Sequence, residues 1–171
     1  PYKGFSPKWY TEKPPAGSYR SILKWGDPEF NKVPKETLYK MIKDTFHLTD
    51  EDFSQYRELG LEQVKFDLPT GLSDEQLARF AAIVGADNVK TDDYSRLSVA
   101  YGKTMYDLLR LRKRIVENVP GAVLYPENKD QIQQIVTYCD EQRIPVYVYG
   151  GGSSVTRGVE AMKGGVTLDM R

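Results

Sequence analysis

The sequence predicts an α+β fold: a helical and irregular N-terminal arm that leads into a single βαβ unit. Three observations carry this expectation. Apolar residues recur at helical spacing between residues 35 and 117; a strand–helix–strand pattern begins at 121; and Gly150-Gly151-Gly152 follows the second strand of that pattern at once. The chain has 171 residues, 40% hydrophobic and 28% charged, enough to bury a core.

Residues 1–34 carry Tyr2, Phe5, Trp9, Tyr10, Tyr19 and Trp25 among Pro, Gly and Lys, without periodicity, and Pro14-Pro15 blocks regular structure. They are expected to form an extended arm whose aromatic side chains are buried on a larger body, offsetting the entropy of ordering it. A helical lead-in region, 35–118, comes next. Leu38, Met41, Ile42 and Phe46 predict a helix over 35–46. Residues 47–72 read as short turns and loops. Ser73 with Gln76 in the capping-box position opens a helix carrying Leu77, Phe80, Ala81 and Val84, and Gly85 closes it. A third helix is expected over 104–117, with Leu108, Leu111 and Ile115 on one face. Its Arg110, Arg112, Lys113 and Arg114 read as a solvated surface.

The segment 119–171 follows another pattern. Ala122-Val123-Leu124-Tyr125 is a short apolar strand stopped by Pro126. Asn128 or Lys129 opens a helix with Ile132, Ile135, Val136 and Cys139 at i, i+3, i+4 and i+7. Ile144 to Tyr149 is a second strand and Val166 to Asp169 a third. The spacing makes the first two parallel, joined by a right-handed crossover. The third is expected as an unpaired edge.

The chemistry is concentrated in Tyr149-Gly150-Gly151-Gly152-Ser153-Ser154-Val155-Thr156-Arg157-Gly158. Glycines at the carboxyl end of a parallel strand let successive N–H groups converge on one anion, with no Cβ to hold it away. The P-loop requires a lysine that is absent here. The dinucleotide fingerprint requires Gly or Ala at 155, where Val155 stands, and a helix directly after the loop. Gly158, Gly164 and Gly165 leave no room for that helix. Backbone amides are therefore the expected holders of a phosphate or pyrophosphate, a ligand-free glycine turn being the alternative reading of the loop alone.

These residues resemble a known family. Ile83-Val84-Gly85-Ala86-Asp87-Asn88-Val89 with Asp92, then Val119-Pro120-Gly121-Ala122-Val123-Leu124-Tyr125-Pro126, then Ile144-Pro145-Val146 running into the glycine loop, and Gly164 to Asp169 are similar to the first subdomain of a PCMH-type FAD-binding domain. This is the domain of the FAD-linked oxidase superfamily, the vanillyl-alcohol-oxidase/p-cresol-methylhydroxylase type. Gly-Ser-Ser-Val-Thr-x-Gly at 152–158, Lys24-Trp25-Gly26 in the arm and the helix after Tyr101-Gly102 resemble the alkyldihydroxyacetonephosphate synthase branch. The resemblance implies FAD, its pyrophosphate on residues 149–154, and contacts from Val148, Tyr149, Gly150, Gly151, Gly152, Ser153, Ser154, Val155 and Gly158. The single histidine, His47, lies far upstream, so the resemblance implies non-covalent FAD.

It also implies that the second half of the flavin site and the family's catalytic residues lie outside this sequence. No catalytic residue is assigned here, and the chain alone is expected to be inactive. Its expected partners are FAD, the remainder of the flavoenzyme and, as one option, a second copy in a homodimer. An FAD-linked 2-hydroxy-acid (D-lactate type) dehydrogenase or oxidase is the alternative enzyme, and a non-catalytic binding module the alternative class. Lys+Arg and Asp+Glu both number 24, which argues against a nucleic-acid partner. No apolar run approaches the roughly 18 residues of a membrane span, and no signal peptide is visible, so a cytoplasmic location is expected. One cysteine excludes an internal disulfide, and no metal site is expected. His47 reads as a helix cap, Cys139 as core, Asp92-Asp93 and Asp50-Glu51-Asp52 as turn and helix-start acids. Asp169 reads either as facing the loop or as structural, and Arg157 either as structural or as a phosphate contact.

Overall fold

The computed structural model describes residues 14–22, 35–54, 60–102 and 104–171. Most of the expected arm, including Tyr2, Phe5, Trp9, Tyr10 and Lys24-Trp25-Gly26, lies outside the described residues. Within it, Ser18 bridges Gln63, and a short helix α1 (Tyr19–Ile22) follows. Tyr19 is buried beside Leu97, Ala100, Tyr101 and Leu111.

Helix α2 (Glu36–Phe46) forms where expected, and His47 caps it in the left-handed region at φ 53°, its N–H donating to the Lys43 carbonyl. The apolar stripe does not enter the core: Leu38, Met41 and Phe46 are exposed. The loop reading of 47–72 is corrected by α3 (Asp50–Ser54), a single turn opened by Thr49, whose hydroxyl accepts from the Asp52 N–H. So short a helix has no periodicity to read. Ser73 and Gln76 form the reciprocal capping box that opens α4 (Asp74–Val84), with backbone-to-side-chain distances of 3.2 and 2.9 Å. Helix α5 (Asp93–Ser98), capped by the Asp92 carboxylate, was not expected as an element. It delivers Arg96 into the interior, where the guanidinium donates to the carbonyls of Pro120, Leu68 and Pro69 at 2.7–3.0 Å. Hydrogen bonding of this completeness is what makes a buried cation tolerable.

Helix α6 (Met105–Arg112) ends before the predicted 117, because Arg114 takes positive φ and turns the chain. Among the described residues four strands form one sheet: β1 (Val89–Lys90), β2 (Ala122–Leu124), β3 (Val146–Tyr149) and β4 (Val166–Asp169), with α7 (Lys129–Gln142) crossing between β2 and β3. The order is β1-β2-β4-β3. β1 is antiparallel to β2, and the remaining pairs are parallel. The expectation that the third strand of the βαβ segment is an unpaired edge is therefore corrected. β4 lies between β2 and β3, and β3 has β4 as its one described neighbour. Every residue of β4 is buried, as a parallel strand covered on both faces requires. Phe80 from α4 and Ile135 and Cys139 from α7 pack on Leu124, Val166 and Leu168. Each fully buried large side chain of this kind contributes about 1.5–3 kcal/mol. Burial alone pushes the Cys139 thiol up to about 11, which fits its reading as core. No helix among the described residues is long and apolar enough to cross a membrane.

Candidate functional site

β3 hands the chain to the glycine loop at the carboxyl end of the sheet. Tyr149, its last residue, is 2% exposed, and burial pushes its phenol upward. Its hydroxyl lies against Gly152, where a Cβ would run into the phenol, and Gly152 sits at φ +63°, a conformation that glycine alone adopts without strain. Tyr149 is thus a prop beneath the loop. Arg171 stacks on the same ring, 5.1 Å from its centroid, and is ion-paired to the buried Asp169 at 2.6 Å. Asp169 is structural in this arrangement.

Gly150 and Gly151 are different: a Cβ at either would meet nothing within 4 Å. Their neighbours Val148 and Val155 are 64% and 62% exposed, Ser153 is exposed and Ser154 is half-buried. Among the described residues, no hydrogen bond engages the backbone N–H groups of 151–156. The donors an anion needs are uncommitted, on a loop whose leading edge carries no side chain. No helix follows. The chain runs through turns to Gly164 and Gly165, so any anion here is held by amides and not by a helix end. The residues present fit a pyrophosphate.

Three contacts fix the remainder of the loop. Ser154 packs its carbonyl on Gly102, where a Cβ would collide with it. The Ala161 N–H donates to the Asn118 carbonyl at 3.1 Å. The third contact centres on Glu160, which is buried. One of its carboxylate oxygens accepts from Arg157 Nε at 2.6 Å and Arg110 Nη1 at 3.0 Å. The other accepts from Asn118 Nδ2 at 2.8 Å and Arg157 Nη2 at 3.1 Å. Burial alone would raise the pKa of Glu160, but the hydrogen bonds from Arg157, Asn118 and Arg110 outweigh it and hold the group below the ordinary carboxylate value. Arg110 also pairs with Asp107 and Glu117 and lies 4.4 Å from the Tyr101 ring centroid.

The reading of the α6 cations as a solvated surface is corrected for Arg110: its side chain is largely covered and joins helix to loop. Arg157 faces Glu160 in this structure. Sequence reasoning missed Glu160 altogether. The spacing Arg157-x-x-Glu160 was the one local signal, and Arg110 lies 50 residues away.

At the carboxyl ends of β2 and β4, a cleft of about 500 Å³ is lined by Tyr125, Asn128, Lys129, Asp169 and Arg171. A second furrow of about 330 Å³ runs along α7, lined by Arg79, Tyr138 and Glu141, and neither cavity includes a residue of the loop.

Residues 120–171 match the sequence family described as FAD binding domain. The alkyldihydroxyacetonephosphate synthase of Trypanosoma brucei brucei is 29% identical over 133 residues, 76% of this chain and 22% of that protein. The protein of the same name from Dictyostelium discoideum is 26% identical over 152 residues, 84% of this chain and 25% of that protein. The chain thus spans about a quarter of the length of these relatives. A solved structure of alkyldihydroxyacetonephosphate synthase is similar in fold, with a TM-score of 0.69 and 21% identity, covering 90% of this chain and 32% of that one.

Proposed function

Since the chain belongs to the FAD-linked oxidase superfamily, with FAD as the cofactor of its 120–171 segment, we propose that it is the pyrophosphate-holding part of a larger flavoenzyme of the alkyldihydroxyacetonephosphate synthase kind. The observation that carries this reading is the open edge at Gly150 and Gly151, beside the uncommitted amides of 151–156. In this reading the amides of 150–154 hold the pyrophosphate, Ser153 and Ser154 add hydroxyl donors, Val148, Val155 and Gly158 flank it, and Tyr149 supports the loop from below. The flavin is bound without a covalent link. Bound FAD supplies the redox-active ring on which the reaction turns, and the residues of this chain bind and orient it.

The reaction assigned to the whole protein exchanges an acyl group for an alkyl chain on a dihydroxyacetone-phosphate backbone, with catalytic residues outside these 171. The likeness to the synthases supports this choice over a 2-hydroxy-acid oxidase, since it extends well upstream of the segment matched to the FAD binding domain. Exposed Met105, Tyr106, Val155 and Met162 support a surface that the rest of the enzyme, or a second copy in a homodimer, covers. A lone, buried, unpaired cysteine fits a cytoplasmic location.

The test is the visible spectrum of the whole natural protein before and after denaturation. Flavin absorbance that passes into the filtrate on unfolding is the expected result. A colourless preparation of the whole protein overturns the reading. Conversion of an acyl dihydroxyacetone phosphate, without consumption of a 2-hydroxy acid, then separates the two enzyme readings.

A further inference from the structure

We propose that Glu160 is a positioning residue for the cofactor: its carboxylate clamps the far limb of the glycine loop to α6 and Asn118, so that the amides of 151–156 are preorganised before an anion arrives. The proposal rests on the FAD reading above.

The geometry supporting it is specific. Glu160 is buried and accepts from groups on three separate stretches of chain: Arg157 on the loop, Arg110 on α6 and Asn118 after it. Both carboxylate oxygens are occupied by charged or polar donors. Arg157 is held at φ +65°, a left-handed conformation uncommon for a residue with a side chain, and the Glu160 N–H closes the turn by donating to the Arg157 carbonyl at 3.1 Å. The backbone between Gly152 and Arg157 is therefore pinned at one end by the Tyr149 hydroxyl, in its middle by Gly102 and at the other end by this carboxylate. A loop ordered in advance pays less entropy on binding, and affinity gained that way needs no contact between Glu160 and the ligand. Arg157, 54% exposed at its side chain, is the link that makes the loop follow Glu160.

The experiment uses the whole natural protein with Glu160→Gln, Arg157→Asn and the double variant. Asparagine tolerates the left-handed backbone at 157 and sits at a half-exposed position, so this variant keeps the fold. Glutamine at 160 turns a carboxylate oxygen into a donor facing other donors. The first measurement is amide exchange of the cofactor-free protein. Each single variant is expected to speed exchange by about tenfold or more at the hydrogen-bonded N–H groups of Glu160 and Ala161, which close the far limb of the loop, while β2 and β4 stay protected, and the double variant to add little further. The second is FAD affinity by fluorescence titration, expected to weaken by about tenfold, which corresponds to about 1.4 kcal/mol.

Unchanged loop exchange overturns the clamp. Faster exchange with unchanged affinity overturns the positioning role and leaves Glu160 structural. Tighter FAD binding in Glu160→Gln also overturns it, since that is the result if Glu160 merely withholds Arg157 from the phosphates. A wild-type protein that takes up no FAD overturns the cofactor reading, and the positioning role with it, whatever the exchange shows.

Discussion

Gly150 and Gly151 stand in open space, while Gly152, the next residue, rests on a buried tyrosine hydroxyl at φ +63°. The same residue type serves opposite ends within one tripeptide. At 150 and 151 the fold does not need glycine, because a side chain would strike nothing in the protein. At 152 the fold needs it twice, for backbone conformation and for space. The difference separates a glycine kept clear for something that arrives from a glycine required by what is already there. Gly102 belongs to the second kind, since the Ser154 carbonyl occupies the place of its side chain.

Substitutions that treat the two kinds alike put the comparison at risk. Gly152→Val has the largest expected effect: a loss of about 2–4 kcal/mol in chemical denaturation of the cofactor-free protein, from positive φ and overpacking together, with FAD uptake lost as well. A Gly152→Val protein as stable as wild type would show that Tyr149 is no prop. Gly102→Ala comes next, at about 1–3 kcal/mol of stability, because the displaced neighbour is backbone and cannot swing aside. Gly151→Val should leave stability within about 0.5 kcal/mol, as at other surface positions, while weakening FAD binding by more than about tenfold. Equal FAD affinity in that variant would move the pyrophosphate elsewhere.

The smallest effect concerns acid. Glu160 has a carboxyl pKa held below its ordinary value of 4.5, chiefly by Arg157, Asn118 and Arg110 working against burial. Its contribution is thus fully present above pH 4.5 and is lost as the pH falls through the lower value of the folded state. Between pH 6 and pH 3, wild type should lose more stability than Glu160→Gln. Parallel loss in the two would show that Asp50, Asp52 and Asp92, whose pKa values are also lowered, account for the acid response.

The helices with a cap and a periodic face were legible. Ser73-x-x-Gln76 and Asn128 place their helix starts correctly, because a cap is a bond between residues three apart. The glycine loop was legible for a similar reason, since its meaning lies in consecutive residues at a strand end. Strand order was not: β4 reads as an apolar tetrad whichever strands flank it, and pairing through Ala122↔Val166 and Val146↔Val166 depends on residues far apart in the chain. Arg110 misled for the opposite reason, and Arg96 gave no signal at all. On its own helix Arg110 looks solvated, and only Glu160 shows it to be interior, as only Pro120, Leu68 and Pro69 do for Arg96.

Local chemistry determined the capped, periodic helices and the glycine run at the end of a strand, because those are matters of backbone conformation and near neighbours. Tertiary structure decided which glycine is open and which is packed, which strand lies at the edge, and that a buried glutamate joins loop to helix. Those outcomes depend on groups brought together from distant positions, where the cost of burying a charge is met only by partners that no local pattern announces.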